Sequence, residues 1–437
     1  MKRNINISLL AFAVLSLLIA FQANLYATNG YYSHGYGIRY KGMAGAGVSL
    51  SQSALGSATN PAGLVFLGTR YDFNLAVFNP NREFTVIGNP SGFPGTFGLA
   101  PGTVTSDNKV FFIPSIGANW SLNDKSSIGV SFYGNGGMNT AYPAAIFGGA
   151  QPTGVDLSQM FLNTSYSRKL GENHSVGVSA ILAYQRFEAT GLEAFGAFSS
   201  DPTKLTGNGH DNSYGLGFKV GYMGAIAEGL RLGASYQTQM IMSEFDDYAG
   251  LYAEKGGFNI PATWTAGVSY EVLNDWIVAF DVQQILYEDV KSIANPIDPT
   301  ALPPAFPDGS GGFIPNPNQV ALGEDGGSGF GWNNVTVFKL GTMYSGVESW
   351  VFRGGFSYGE QPIPDSEMLF NILAPGVIEK HATLGVSKIL GNDREISFAM
   401  MHGFSNTISG SNRFEAPDQQ SIELNMNQWE FELGFSF

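Results

Sequence analysis

Side chains that could support catalysis are scattered along the chain rather than grouped. None of its histidines lies in an H-E-x-x-H motif or beside a serine elbow; they are His34, His174, His210, His381 and His402. Cysteine is absent, which excludes a thiolate nucleophile and a cysteine-based metal site. The sequence therefore predicts a protein that is not an enzyme and needs no cofactor and no metal. A lipase that brings Ser and His together from different strands of a barrel is the alternative.

A second kind of chemistry, the binding of a carboxylate, is open to basic residues in apolar or small-residue surroundings. The candidates for ligand binding are Arg39, Lys41, Lys219, Lys339 and Arg353. The other interpretation is that each one pairs with an acid inside the fold, such as Asp281, Glu430 or Glu432.

Aromatic residues in the long polar-flanked segments are candidates for binding an apolar ligand. Phe147, Phe195 and Phe198 lie between predicted strands, in stretches that also contain leucine and alanine. Exposed apolar patches on loops usually mark binding sites. These side chains could equally pack against one another as a loop cap, and both interpretations can hold together.

Composition and the N-terminus indicate an exported protein. Charged residues make up 13% of the 437, about half the usual share. Residues 1–27 combine Lys2-Arg3, an apolar core and a small residue at Ala27, which is typical of a cleaved signal peptide. Without Lys2 and Arg3 the chain keeps 20 basic against 36 acidic residues, a formal charge of −16 that excludes a nucleic-acid partner.

The elements that must position these residues are strands, because apolar residues recur with a period of two. At the C-terminus, Trp429, Phe431 and Leu433 alternate with Glu430, Glu432 and Gly434. Fourteen such runs of about 9–12 residues fit strands that cross a bilayer, the first at 70–78 and the last at 426–437. Short turns alternate with long loops, which is the layout of an outer-membrane barrel.

The parity of the alternation assigns the two faces of the wall. Tyr214, Leu216 and Phe218 are predicted to face lipid, which places Lys219 inside. The same reasoning places Lys339 and Arg353 inside. The predicted fold is an all-β, 14-stranded antiparallel transmembrane barrel over residues 69–437. Its lumen is too wide for wall side chains alone to fill.

Residues 28–68, which we call the hatch segment, are predicted to plug that lumen. The stretch GYGIRYKGMAGAGVSLSQSALGSATNPAGLVFL at 35–67 has two full charges and too few bulky apolar residues for a core of its own. A flexible linker is the other interpretation. The residues expected to control the plug are Gly45, Gly47, Asn60, Pro61 and Ala62.

With its signal peptide, G-M-A-G-A-G at 42–47, N-P-A at 60–62 and fourteen strands, the chain resembles the FadL-type long-chain fatty-acid transporters, a family that includes hydrocarbon channels. The stretch SLSQSALGSA at 49–58 departs from that family, which commonly has an acidic pair there. The resemblance implies capture by external loops, a pocket near the start of the hatch segment, and lateral release at a kink in the third strand. The glycines for that kink are Gly134, Gly136 and Gly137.

The binding partners implied by this resemblance are a long-chain fatty acid or similar hydrophobic ligand, outer-membrane lipid, and the barrel assembly machinery. The assembly machinery would recognise the terminal Phe437. The alternatives are an aromatic or alkane hydrocarbon channel, or a structural or adhesive surface barrel without transport. The predicted location is the bacterial outer membrane.

Overall fold

The computed structural model describes residues 29–391 and 393–437, so the predicted signal peptide lies outside the described residues. Within them, fourteen antiparallel strands form a closed barrel, as predicted. The strands are β1 Arg70–Ile87, β2 Phe111–Asn123, β3 Ser126–Ala141, β4 Gly154–Leu170, β5 His174–Thr190, β6 Asp211–Ala227, β7 Leu230–Gln237, β8 Thr263–Leu273, β9 Trp276–Ile285, β10 Val335–Val347, β11 Trp350–Gly359, β12 Lys380–Gly391, β13 Arg394–Ser411 and β14 Ser421–Ser436.

The barrel closes because β14 pairs with β1 over their full lengths, from Asp72↔Ser436 to Ile87↔Ser421. Every other strand pairs with its neighbours in chain order. Closure pairs the edges of the first and last strands, which barrel strands in lipid require. No helix in the described part of the chain is long and apolar enough to cross a membrane.

Short elements occupy the loops and the hatch segment. One-turn α-helices span Ile38–Lys41, Ala253–Gly256, Lys291–Ala294 and Met368–Asn371. Single 3₁₀ turns span Ala54–Ala58, Pro61–Phe66, Glu193–Phe198, Pro202–Lys204, Asp246–Tyr248, Tyr287–Asp289 and Asp365–Glu367. Four short strands lie at Gly102–Thr105, Ile241–Met242, Ala305–Pro307 and Phe313–Pro315.

The predicted faces of the wall are confirmed. On β6, Tyr214, Leu216 and Phe218 are 45–64% exposed, whereas Lys219 is buried. Lys339 on β10 and Arg353 on β11 are buried as well. The alternation in sequence therefore sorts apolar side chains to the outer surface and polar ones to the lumen.

Several strands are longer than predicted, and β1 differs most. The alternation was expected to end at residue 78, before Pro80, yet β1 continues to Ile87. Pro80 is tolerated because the ladder between β1 and β2 ends at Phe78↔Phe111, so no donor is needed there on the β2 side. Pairing with β14 carries the strand onward.

The hatch segment, described from Asn29, packs against inward-facing residues of the wall. Glycines on the inner face allow its backbone to come close. A Cβ atom added to Gly355 would lie 2.3 Å from the carbonyl carbon of Met43, and one added to Gly177 would lie 2.4 Å from that of Pro61. Close approach of the hatch backbone therefore explains why the inward-facing positions of the strands are so rich in glycine.

Candidate functional site

Two predicted ligand-binding residues of the hatch segment form ion pairs with the wall. The guanidinium of Arg39 contacts both carboxylate oxygens of Glu395 on β13. The ammonium of Lys41 contacts Glu430 and lies 3.1 Å from Glu432 Oε2, both on β14. All five residues are largely buried, so the pairs tie the hatch segment to the last two strands of the barrel.

The three predicted ligand-binding cations of the wall also contact the hatch segment. Lys219 donates to the carbonyl of Ala58. Lys339 Nζ donates to the carbonyl of His34 at 3.1 Å. Arg353 Nε donates to Gln52 Oε1 at 3.3 Å, and its Nη1 donates to Ser387 Oγ at 2.7 Å. Each inward cation named from the sequence thus holds the hatch segment, and a role in ligand binding stays a prediction.

The pKa values of the hatch residues follow from this burial. Burial lowers the pKa of His34 well below its ordinary value, and the charges of Lys41 and Lys339 lower it further. Burial also opposes the charge on Lys41, but Glu430 and Glu432 outweigh it and raise the pKa of that ammonium. Lys41 is therefore held as a cation beside a neutral imidazole.

Gly45 and Gly47 form the sharp turns that bring the hatch segment against β9. Gly45 has φ 76°, and a Cβ atom there would lie 1.9 Å from the carbonyl oxygen of His34. Gly47 has φ 131°, and its N–H donates to Asp281 Oδ2 at 2.7 Å. The N–H of Val48 donates to the same oxygen at 2.9 Å. These glycines are required by backbone geometry.

The N-P-A motif anchors the other end of the hatch segment. The Asn60 side chain accepts from the N–H of Ala62 at 3.0 Å and donates to the carbonyls of Val48 and Tyr222 at 2.7 and 2.9 Å. Pro61 occupies the first position of the following 3₁₀ turn, where its missing donor is harmless. The carbonyl of Ala62 accepts from the hydroxyls of Ser167 and Ser175, which lie on β4 and β5.

The wall is interrupted between β2 and β3. Their ladder runs from Asn123↔Ser126 to Ile116↔Phe132 and then stops. Farther along, the chain before β2 meets β3 again, where the N–H of Asp107 donates to the carbonyl of Ala141 at 2.8 Å. We call the unpaired stretch between residues 109–115 and 133–138 the window.

The predicted kink in the third strand coincides with the window. A register shift against β4 falls between Gly134 and Gly136, and β3 continues past Gly137 to Ala141. The strand therefore does not simply end in a turn at these glycines. Asn135, at the bulge, donates to Gln159 Oε1 at 2.9 Å and accepts from the hydroxyl of Tyr36 at 2.6 Å.

The first described residues of the hatch segment pair with the strand edge that the window leaves open. Tyr32 forms an antiparallel bridge with Gly136. The N–H of Ser33 donates to the carbonyl of Asn135 at 2.9 Å, and the N–H of Gly137 donates to that of Tyr31 at 3.0 Å. A cavity of about 10 Å³ remains beside these contacts, about the size of one water molecule. The window is closed from inside.

The predicted loop aromatics form a cluster at the long-loop rim. The Phe195 ring lies 5.2 Å from the ring of Phe147, 6.2 Å from that of Phe198 and 5.2 Å from that of Phe370. Phe147 and Phe195 are buried, and Phe198 is partly buried. Two members of this cluster, Phe195 and Phe370, line a cavity of about 30 Å³. Its lining includes Leu192, Phe195, Leu251, Phe330, Phe370 and Leu373.

A second cavity of about 30 Å³ lies in the lumen near the start of the hatch segment. Trp332, Met138 and Met426 line it together with Arg82 of β1. Sequence reasoning missed Arg82 because that residue was assigned to a loop. The signal was present, since Phe84 and Val86 continue the parity of Phe78 beyond Pro80. In the described part of the chain, no group of three His, Asp or Glu side chains could hold a metal ion.

Comparison with known proteins bears on this architecture. A family model described as outer membrane protein transport protein (OMPP1/FadL/TodX) matches residues 19–409. No curated protein matches the chain. Among solved structures, a Pseudomonas aeruginosa FadL homologue has a TM-score of 0.67 at 16% identity, covering 93% of this chain and 99% of that chain. The P. putida toluene transporter TodX has a TM-score of 0.64 at 17% identity, covering 92% and 98%. The Ralstonia pickettii toluene transporter TbuX has 0.60 at 16%, covering 92% and 98%. At these identities the structures share the fold.

Proposed function

This chain belongs to the outer membrane protein transport family (OMPP1/FadL/TodX) and is an outer-membrane β-barrel channel for hydrophobic compounds; from this premise we propose that its ligand is a long-chain fatty acid, released sideways into the membrane. The observation that carries the proposal is the window between β2 and β3, which the hatch segment fills. An opening in the wall faces lipid, so an apolar ligand leaving through it need not enter water.

Capture begins in this proposal at the aromatic cluster around Phe195. The cavity beneath it is lined by apolar side chains from several loops. Each methylene of an acyl chain gains about 0.8 kcal/mol when it leaves water. The loop cavity is the first place where that gain is available, and the lumen cavity beside Trp332 is the next.

Passage requires the hatch segment to move. The cavities at the window, in the lumen and beneath the aromatic cluster hold about 10 to 30 Å³, and one beside Asn108 and Asn139 holds about 190 Å³, whereas a ligand site is normally about 300–1,000 Å³. The structure is thus a closed form, and Tyr31, Tyr32 and Ser33 must leave the edge of β3 before an acyl chain can cross the window.

A hydrocarbon channel is the second candidate, and one observation favours it. None of the residues lining the loop cavity is charged. A neutral aromatic or alkane would therefore bind there without leaving a charge unpaired. Two of the structural neighbours are described as toluene transporters.

Competition binding separates the two candidates. Purified protein in detergent is titrated with radiolabelled hexadecanoic acid, and hexadecane is added as competitor. We expect saturable binding that hexadecane displaces poorly, because a carboxylate is recognised. Equal displacement would favour the hydrocarbon channel, and absence of saturable binding of either compound would refute transport and support a structural or adhesive surface barrel.

Export and assembly complete the proposal. Residues 1–27 would be removed as a signal peptide, and the barrel assembly machinery would recognise the last strand. The backbone of Phe437 exchanges two hydrogen bonds with that of Tyr71, of 2.8 and 3.0 Å, and the two rings stack at 5.2 Å. The terminal residue thereby extends the seam where β14 meets β1.

A further inference from the structure

Arg82 joins the two edges of the window. Its side chain projects from β1 into the lumen and is buried. One terminal nitrogen of its guanidinium donates to the carbonyl of Asn139 on β3, and the other donates to the carbonyl of Asn108, just before β2. One side chain thus bridges two chain segments between which the β2–β3 ladder is missing.

Other hydrogen bonds join the same two segments at this end of the window, one of them from the N–H of Ala141 to Ser106 Oγ at 3.0 Å. The Asn108 side chain donates to Asn139 Oδ1 at 3.1 Å, and the N–H of Asp107 donates to the carbonyl of Ala141 at 2.8 Å. The Arg82 guanidinium also lies 5.7 Å from the centre of the Phe111 ring, at the start of β2. The guanidinium therefore supplies two of the hydrogen bonds that close this end.

The same guanidinium faces the lumen cavity on the proposed ligand path. Its neighbours there include Met138, Trp332 and Met426, which suit an acyl chain. The bonds of its two terminal nitrogens to Asn139 and Asn108 go to neutral carbonyls. A carboxylate accepts from a guanidinium in a bidentate, charge-assisted pair, which is roughly twice as strong as a neutral hydrogen bond.

We propose that Arg82 is a clasp that holds the window closed, and that a carboxylate head group entering the lumen cavity releases it. The carboxylate takes the two terminal nitrogens from the carbonyls of Asn108 and Asn139, and the two edges, then held by fewer hydrogen bonds, separate more easily. Recognition of an acidic amphiphile is thereby coupled to opening of the wall. This inference rests on the proposed function, and it names a residue that distinguishes a fatty acid from a hydrocarbon of equal length.

Substitution of Arg82 tests recognition of the head group. Arg82→Met should lower the affinity for hexadecanoic acid about tenfold or more and change that for hexadecane by less than about twofold. Arg82→Lys cannot bridge two carbonyls in a plane, but it keeps the positive charge. Because it keeps that charge, it should retain most of the fatty-acid affinity. An equal loss for both ligands would indicate a merely structural role and overturn the proposal, as would no loss for either.

Cross-linking tests the clasp without altering Arg82. Because the chain contains no cysteine, the pair Asn108→Cys with Asn139→Cys can be joined by oxidation or by a short thiol cross-linker. The matched control is Thr85→Cys with Thr103→Cys, whose hydroxyls lie 2.8 Å apart across another strand pair. We expect the first cross-link to stop uptake of hexadecanoic acid until the link is cleaved, and the control to have no effect.

The outcomes separate the clasp from the function on which it rests. Normal uptake through a fully cross-linked 108–139 pair would overturn the clasp while leaving fatty-acid transport in place. If the unmodified protein neither binds nor takes up hexadecanoic acid, the proposed ligand itself is wrong, and the clasp falls with it.

Discussion

Replacing Asn60 with alanine removes three hydrogen bonds that fix the hatch segment. Two run from the side-chain amide to the carbonyls of Val48 and Tyr222, and the third runs from the N–H of Ala62. Only the bond to Tyr222 on β6 joins the hatch segment to the wall, and a neutral hydrogen bond contributes about 1 kcal/mol, so the variant should weaken the attachment by about 1 kcal/mol. A detached fraction would then rise about fivefold.

Ion conductance in planar bilayers measures that detachment, because a displaced plug leaves an aqueous path. We expect a higher conductance and slower fatty-acid uptake, since a displaced hatch segment no longer forms its side of the lumen cavity, which Gly30 lines. Protein level and heat-modified mobility of the barrel should stay normal, because the ladder is untouched.

The matched control is Asn406→Ala, which removes one bond from β13 to the carbonyl of Val377 and none to the hatch segment. Conductance and uptake of Asn60→Ala equal to those of the control would refute the reasoning that Asn60 anchors a working plug.

Three further predictions concern the rest of the hatch and the seam. Gly177→Val should displace the hatch segment, because even a Cβ atom lies 2.4 Å from Pro61, and limited proteolysis should then cleave residues 29–68; an uncut segment would contradict this contact. Deleting Phe437 should lower the amount of inserted barrel, since two backbone bonds at the seam are lost, and unchanged insertion in outer-membrane fractions would contradict it. Acidification below about pH 6.5 should loosen the hatch segment, because burial lowers the pKa of His34, so the detached state binds the proton more tightly. The conductance should therefore increase when the pH is lowered from 7.5 to 5, and His34→Gln should abolish this increase. An identical increase in the variant would rule out His34 as its source.

The barrel could be predicted from the sequence because its signal is local and repeated. A period of two sorts Phe218 outward and Lys219 inward wherever it occurs, independently of what lies across the lumen. The turns reinforce it, as at Leu170–His174, where the ladder of β4 and β5 closes. Strand ends were less predictable, since pairing with β14 extends β1 through Pro80 against its local preference.

The site was harder to predict because its contacts join residues far apart in the chain. Nothing near Tyr31 in the sequence indicates that its carbonyl accepts from Gly137. Parity correctly placed the inward cations. The partners of two wall cations were not predicted, because Lys219 and Lys339 donate to the backbone carbonyls of Ala58 and His34 rather than to acidic side chains. Pairing with an acid inside the fold, the other interpretation, is found for Lys41 with Glu430 and Glu432 and for Arg39 with Glu395.

Two kinds of contact in the lumen have different roles in the proposed transport cycle. The hatch segment is held to the wall largely by hydrogen bonds and ion pairs, such as those of Asn60 with Tyr222 and of Arg39 with Glu395, which water can replace when the segment moves. The ligand path is lined by apolar side chains such as Phe195 and Trp332, whose contacts a moving acyl chain can replace. At about 0.8 kcal/mol for each buried methylene, one or two methylenes offset the roughly 1 kcal/mol that the bond from Asn60 to Tyr222 contributes. A long acyl chain therefore has enough apolar surface to offset release of several such anchors, whereas a short one does not, and uptake should increase with chain length until the lumen is filled.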